Sequence, residues 1–389
     1  NLILFIFTIL AAKLLGPEKW GSITLFSLIA TYSGILTLGI NNGMGILLPI
    51  NIGNKKYQYC KDILSSSKAS LVLTFIPIII LQYFLLNYFS FSLNELITLI
   101  AFTLSIQILA YFKIFLRSYE LFKTFSYSYF FQTLALILGY LILNKNINYL
   151  IVLTFANLIA SLYIWLNKHY IRAEWTVQKK TFSKIFQIGF PVMMAGIVGE
   201  LLLSIDRLII SIFLDNYQLG QYGFGSNFFK GVRIIGIAFS MMTLPRIAKA
   251  YAKKDLIKMI YYARIQQWIS FAFMLTASLI SGFLIYYYVP TLMPDYSGSV
   301  NISMLLLGVA TILPFSFYPN ILNVIGKQKL YLSTQFFIIL INLLISTCLI
   351  ILGYGIEGVA FGSLISIIIY IILLRYLGNQ ILKKITFSM

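Results

Sequence analysis

Charge is what this 389-residue sequence has least of: Asp, Glu, Lys and Arg together make up 10% of it, where soluble domains carry roughly 25%. So few charges cannot clothe a water-facing surface for so long a chain, which excludes a large soluble domain. Histidine occurs once, at His169 in a polar stretch, so histidine-based metal sites and Ser-His-Asp catalysis have no support. Cysteine occurs twice, at Cys60 and Cys348, without metal or redox spacing, and both read as small packing residues rather than a disulfide. No phosphate-binding loop ending in Gly-Lys-Ser or Gly-Lys-Thr is present, so ATP is not the direct energy source and no cofactor is called for.

Hydrophobic residues fill the gap, at 60% of the chain. Apolar runs of about 20 residues, the length that crosses a hydrocarbon core, recur from end to end. Pro, Gly and charge punctuation predict a stub at 1–12 and helices near 20–45, 70–88, 95–117, 124–143 and 147–166. A second set follows near 184–214, 218–245, 264–288, 299–323, 330–352 and 356–377. The chain opens at Asn1 inside an apolar run, and Leu2 to Ala12 reads as the tail of a truncated first helix rather than as a signal peptide. The fold class is therefore an all-α polytopic membrane protein with about twelve transmembrane helices.

The formal net charge of +18 would suggest nucleic acid in a soluble protein, so its placement matters. Lys13, Lys19 and Lys145 fall in one set of alternate loops, and Arg207, Lys230 and Arg233 fall inside helices. The remaining 23 of the 29 basic residues (29 − 6) fall on the other side. The side that retains Lys and Arg is the cytoplasm, so both termini are expected there, and the excess answers to topology and anionic lipid rather than to nucleic acid. Arg246 to Arg264 reads as a basic amphipathic extension of helix 8 lying on headgroups.

An internal repeat organises the chain. Leu15-Gly-Pro-Glu-Lys-Trp-Gly21 has its counterpart in Leu214-Asp-Asn-Tyr-Gln-Leu-Gly220, and each is followed by an apolar helix, a Leu-Pro step (Pro49, Pro245) and a Lys-Lys pair. The offset of 199 residues (214 − 15) spans six helices, an even number, so the halves are parallel repeats. Residues 1–167 are expected to form one six-helix lobe, 168–183 a basic cytoplasmic linker and 184–389 a second lobe, the two in a V around a central cleft.

Ionisable groups inside a span are costly and face a cavity or a partner. There are five: Glu200, Asp206 and Arg207 on helix 7, and Lys230 and Arg233 on helix 8. Glu200, Ser204, Arg207 and Ser211 share one face of helix 7, and Tyr222, Ser226, Lys230 and Arg233 one face of helix 8. Counting from the turn between the helices puts Glu200 level with Lys230 and Arg233. An interhelical ion pair would account for Glu200 and one base; the five still sum to +1, which suits an anionic group such as a diphosphate, to which Arg can donate two parallel hydrogen bonds. The expected substrate-binding residues are Arg233, Lys230, Arg207, Ser226 and Ser204, with Glu200 and Asp206 balancing charge or exchanging a proton or sodium ion. The first lobe offers only Thr24, Ser27, Thr31, Asn41 and Asn42, residue types that more often glue helices together than bind ligands. Pro191, Pro314 and Pro319 are expected to kink helices 7 and 10.

The run Ala12-Lys13-Leu-Leu-Gly-Pro-Glu-Lys-Trp-Gly21, followed by Leu38-Gly39-Ile-Asn-Asn42, resembles the first hairpin of the polysaccharide-repeat-unit flippases, of the superfamily that also holds multidrug and toxin extrusion proteins and lipid II flippases. Gly189-Phe-Pro191, Asp206-Arg207 and Leu214 through Tyr222 resemble the start of that family's second lobe, and Tyr354-Gly-Ile-Glu-Gly-Val-Ala360 the start of its last helix. The resemblance implies an alternating-access carrier, not an enzyme, that moves undecaprenyl-diphosphate-linked oligosaccharide across the bacterial cytoplasmic membrane, with membrane lipids and polysaccharide-assembly proteins as candidate partners. Three other readings compete. A multidrug exporter would line its cleft with acidic and aromatic groups, whereas the surplus here is basic. A lipid II flippase would carry more basic residues in its first lobe and often extra helices. A polysaccharide polymerase or acyltransferase would need a long outer loop or a histidine site.

Overall fold

The computed structural model describes residues 2–89, 91–142, 149–167, 175–316 and 318–388. Lys145, and Lys168, His169 and Arg172 of the expected linker, lie outside the described residues. Every regular element among those described is helical. Eleven helices are long and apolar enough to cross a membrane, and a shorter apolar helix over Phe5–Leu15 precedes them. That is the multi-pass architecture that the hydropathy pattern calls for.

By contacts the chain falls into two compact units, residues 1–14 with 26–197 and residues 15–25 with 198–389. The first holds α1 (Leu2–Leu15) up to Leu14, the later part of α2 (Pro17–Ser33) from Phe26, α3 (Ile40–Gly53), α4 (Tyr57–Leu73), α5 (Phe75–Phe89), α6 (Leu93–Ser118), α7 (Phe122–Ile142), α8 (Tyr149–Asn167) and most of α9 (Lys179–Leu202), the start of α2 belonging to the second. Its core is a cluster of aliphatic and aromatic side chains, Ile40, Met44, Leu48, Ile63, Phe115 and Ile164 among them, that knits α3, α4, α6 and α8 to α9. Gly39 permits the entry to α3: its φ of +72° is open to glycine, and a Cβ there would overlap the backbone of Gly189. The second unit holds α10 (Ile205–Phe213), α11 (Asn216–Ala252), α12 (Leu256–Leu292), α13 (Ser299–Ile312), α14 (Tyr318–Val324), α15 (Gln328–Ile351) and α16 (Gly355–Ser388).

Several boundaries differ from the hydropathy reading, for one reason: hydropathy detects the hydrocarbon-spanning part of a helix, whereas a helix runs on until its caps. The helix expected from 70 begins at Tyr57, which places Lys61 and Lys68 on α4 rather than in a loop. α9 begins at Lys179. The basic segment from Arg246 to Arg264 is not one amphipathic helix on the surface. It is the end of α11 and the start of α12, divided at Lys253–Asp255, where the Asp255 side chain accepts the Lys258 N–H and caps α12. The expected helix 10 is interrupted at Pro314, where α13 gives way to a 3-10 turn over Leu313–Ser316. The expected helix 7 is interrupted too, but α9 runs through Pro191 and ends eleven residues later (202 − 191).

The two copies of the repeat meet within the second unit. α2 begins at Pro17 and α11 at Asn216, again 199 apart, and a Cβ on Gly21 would overlap the Asn216 carbonyl just as a Cβ on Gly220 would overlap that of Pro17. Thr24 faces Gly223 with the same offset. Each contact is answered by its mate, so a local two-fold axis relates the starts of α2 and α11, and glycine is needed for so close a crossing.

Candidate functional site

The interruption between α9 and α10 organises the charged residues. The helix tightens as the Leu203 and Ser204 N–H groups bond back three residues, to the Glu200 and Leu201 carbonyls, and the Ser204 hydroxyl donates to Glu200 O at 2.6 Å. A break inside a span exposes orphan carbonyls at one helix end and orphan N–H groups at the other, which hydrocarbon cannot satisfy. Arg207 and Asp206 serve both ends. The Arg207 guanidinium donates to Leu203 O at 2.9 Å, and the Asp206 carboxylate accepts the Arg207 N–H at 2.7 Å in the first turn of α10, where the helix dipole favours an anion. Both side chains are buried, with Nε of Arg207 3.6 Å from the carboxylate. Tyr222, fully buried on α11, donates its hydroxyl to the other Asp206 oxygen at 2.6 Å.

Glu200 and Arg233 meet, as their equal depth suggests, at 3.1 Å. Their side chains are 55% and 24% exposed, so the pair belongs to the class worth about 0–1 kcal/mol and can be exchanged for another partner. Lys230, three residues before Arg233 on α11, is crowded by protein yet reachable by water. It forms no ion pair among the described residues and lies within electrostatic range of Glu200, Asp206, Arg207 and Arg233. Since such charges are costly against acyl chains, the face that carries them meets water or a ligand.

The predicted residues therefore divide. Arg233, Lys230 and Glu200 are accessible. Arg207, Asp206, Ser204 and Ser226 are buried and committed within the protein, Ser226 by donating to Gly223 O at 2.8 Å. The first-lobe hydroxyls of Thr24 and Thr31 donate to carbonyls of their own helix, Trp20 O and Ser27 O.

Two polar features are not foreseen from the sequence. In the first unit Lys113, assigned there to a loop, sits on α6 and donates to Gln132 Oε1 at 3.1 Å with its ammonium 3.8 Å from the Tyr129 ring centre; Gln132 donates on to Asn157 and Asn157 to Ser105. In the second unit Arg233 stands at one wall of a cavity of about 270 Å³ between α11, α12, the 3-10 turn, α14 and α15. The available signal is polar residues within apolar spans, Lys113, Gln132 and Asn157 for one and Gln266, Gln267 and Asn320 for the other.

The comparisons with known proteins agree with this architecture. The family described as polysaccharide biosynthesis protein matches residues 9–286, well over half of the chain. No individually curated protein matches. Among solved structures, a multidrug resistance MATE family transporter of the MOP superfamily in its inward-facing conformation superposes with a TM-score of 0.82 at 14% identity, covering 99% of this chain and 95% of that one. The outward-facing conformation of a MATE transporter gives 0.64 at 14% identity, covering 100% and 96%. The lipid II flippase MurJ, inward closed, gives 0.66 at 16% identity, covering 99% and 90%. The fold is thus the one those transporters and that flippase share.

Proposed function

Because this chain belongs to the polysaccharide biosynthesis protein family, we propose that it is a flippase that carries undecaprenyl-diphosphate-linked oligosaccharide from the inner to the outer leaflet of the bacterial cytoplasmic membrane by alternating access. The observation that supports this reading is the accessible Arg233 guanidinium, which among the described residues is held by an exchangeable contact to Glu200, beside a Lys230 that forms no ion pair with them. A diphosphate would displace Glu200 from Arg233 and take two parallel hydrogen bonds from the planar guanidinium, while Lys230 adds a point charge. Asp206 and Arg207 act at one remove, by holding the helix interruption in shape. Glu200, once displaced, is a carboxylate free to take a proton or sodium ion, which would couple the cycle to an ion gradient. A cationic drug finds a net positive cluster here, which disfavours the multidrug reading of the same fold. The basic residues of the alternate loops support a cytoplasmic position for both termini.

Complementation of a strain lacking its own repeat-unit flippase tests the site. Arg233→Ala should abolish surface polysaccharide while the protein still reaches the membrane, because charge-assisted bonds of this type contribute about 2 kcal/mol, roughly thirtyfold in affinity. Arg233→Lys should restore part of it, since an ammonium keeps the charge and loses the two-bond geometry. Full activity of Arg233→Ala would overturn the site assignment.

A further inference from the structure

We infer that the cavity beside Arg233 is a saccharide subsite, built to hold the uncharged sugar joined directly to the diphosphate; the inference rests on the flippase reading above and extends it to substrate selectivity. Arg233, Gly236, Ile237 and Ser240 follow one another along one face of α11, so the cavity begins at the guanidinium and continues for about 10 Å along the helix. It continues toward the basic turn at Lys253 and Lys254, the end that the loop charges assign to the cytoplasm. Its opposite wall is α12, reached through Gln266, Gln267 and Ser270, and Asn320 of α14 closes it.

The lining chemistry excludes most ligands. Of the described lining residues only Arg233 is charged, so a cation finds no carboxylate and a second phosphate finds no further base. An acyl chain would bury amides without partners, which is costly. What remains is an uncharged group rich in hydroxyls. Hydroxyls donate and accept, as side-chain amides do, and Ile237, Leu313 and Pro314 offer apolar surface to the C–H face of a ring.

Part of this polar set serves the fold alone. Asn320 donates to Ser240 Oγ at 2.9 Å and to Gln266 Oε1 at 3.0 Å, which ties α11, α12 and α14 together. Gln267 and Ser270 are different. They are 5% and 3% exposed, they lie three residues apart on the same face of α12, and neither makes a hydrogen bond among the described residues; the Ser270 hydroxyl is a buried polar atom with no partner. Buried polar groups in spans are almost always paired, and a pair left open on a cavity wall is one that a ligand completes.

The test compares two lipids on the purified full-length protein in nanodiscs: undecaprenyl diphosphate, and the same lipid bearing one N-acetylhexosamine. Wild type should bind the glycosylated lipid at least about tenfold more tightly, the ratio that one or two buried hydrogen-bond pairs supply. Gln267→Leu with Ser270→Ala should erase that preference and leave the affinity for bare undecaprenyl diphosphate unchanged. Ser270→Ala alone removes only an unpartnered hydroxyl, so it should melt at the wild-type temperature and show a reduced preference, which keeps the test open if the double variant does not fold. Equal binding of the two lipids by wild type overturns the proposal, as does a preference that survives both substitutions. Failure of the diphosphate reading would look different: Arg233→Ala would then bind bare undecaprenyl diphosphate as well as wild type does.

Discussion

Removing the Asp206 carboxylate is the sharpest test of whether the helix interruption is held by the buried pair. In Asp206→Ala the Tyr222 hydroxyl and the Arg207 N–H lose partners at 2.6 and 2.7 Å, and the Arg207 guanidinium loses the carboxylate 3.6 Å away. Arg207 then stays buried and charged beside Lys230. Breaking a buried pair by deleting one member costs about 3–5 kcal/mol. Hydrogen bonds between transmembrane helices average only about 0.6 kcal/mol and reach about 1.7, so the uncompensated charge, not the lost bonds, should dominate. Melting of the detergent-solubilised protein, followed by size-exclusion chromatography, should then fall by about 10 °C at roughly 2–4 °C per kcal/mol for a unit of this size. Tyr222→Phe keeps the charges balanced and should lose only about 2–4 °C on the same scale. Asp206→Leu with Arg207→Leu removes both charges, and because apolar replacement of a buried pair is often neutral or better, it should recover at least half of the loss. An Asp206→Ala protein that melts like wild type yet fails to transport would refute this reasoning and make the carboxylate a ligand or ion contact; a double variant no more stable than the single one would refute it as well.

Two further outcomes bear on topology and on the repeat. A single cysteine in place of Lys179 should escape an impermeant maleimide in intact cells and react after lysis, since that end of α9 is expected on the basic, cytoplasmic side; labelling in intact cells would reverse the orientation. With Cys60 and Cys348 replaced, cysteines at Thr24 and Gly223 should be joined by mild oxidation, because a Cβ built at Gly223 lies 3.2 Å from that of Thr24, close to the roughly 3.5–4.5 Å that disulfides span. The link would hold together the halves of a protein cleaved near residue 175, and halves that separate after oxidation would contradict the crossing of α2 and α11.

Much of this molecule is legible in the sequence because a bilayer punishes exceptions. Apolar runs mark the spans, and the 199-residue offset reappears as reciprocal contacts between Gly21 and Asn216 and between Gly220 and Pro17. Helix ends are less legible. Nothing in hydropathy says that α4 continues outward to Tyr57 or that α11 and α12 both run past the hydrocarbon before turning at Lys253–Asp255. Neutral polar groups are less legible still, since a census of charge passes over Gln267, Ser270 and Asn320, and it leaves Lys113 in a loop although its ammonium turns inward to Gln132.

The five intramembrane charges show where such reading stops. Their presence is conspicuous because each is costly in hydrocarbon, but only spacing speaks to their roles, and spacing of three and four residues places side chains on one face only while the helix is continuous. At Leu203 and Ser204 it is not: with no proline or glycine to announce it, α9 tightens and stops and α10 starts afresh. Glu200, before the break, reaches Arg233, whereas Arg207, after it, turns back to the Leu203 carbonyl that the break exposes. Asp206, off the stripe that spacing defines, becomes the acceptor for Tyr222 and for the first turn of α10. Two residues of irregular backbone thus send Glu200 to a base that can meet a ligand and Arg207 to the break itself, and substitutions in the two groups should differ accordingly: loss of transport in a stable protein at Arg233, loss of stability at Asp206.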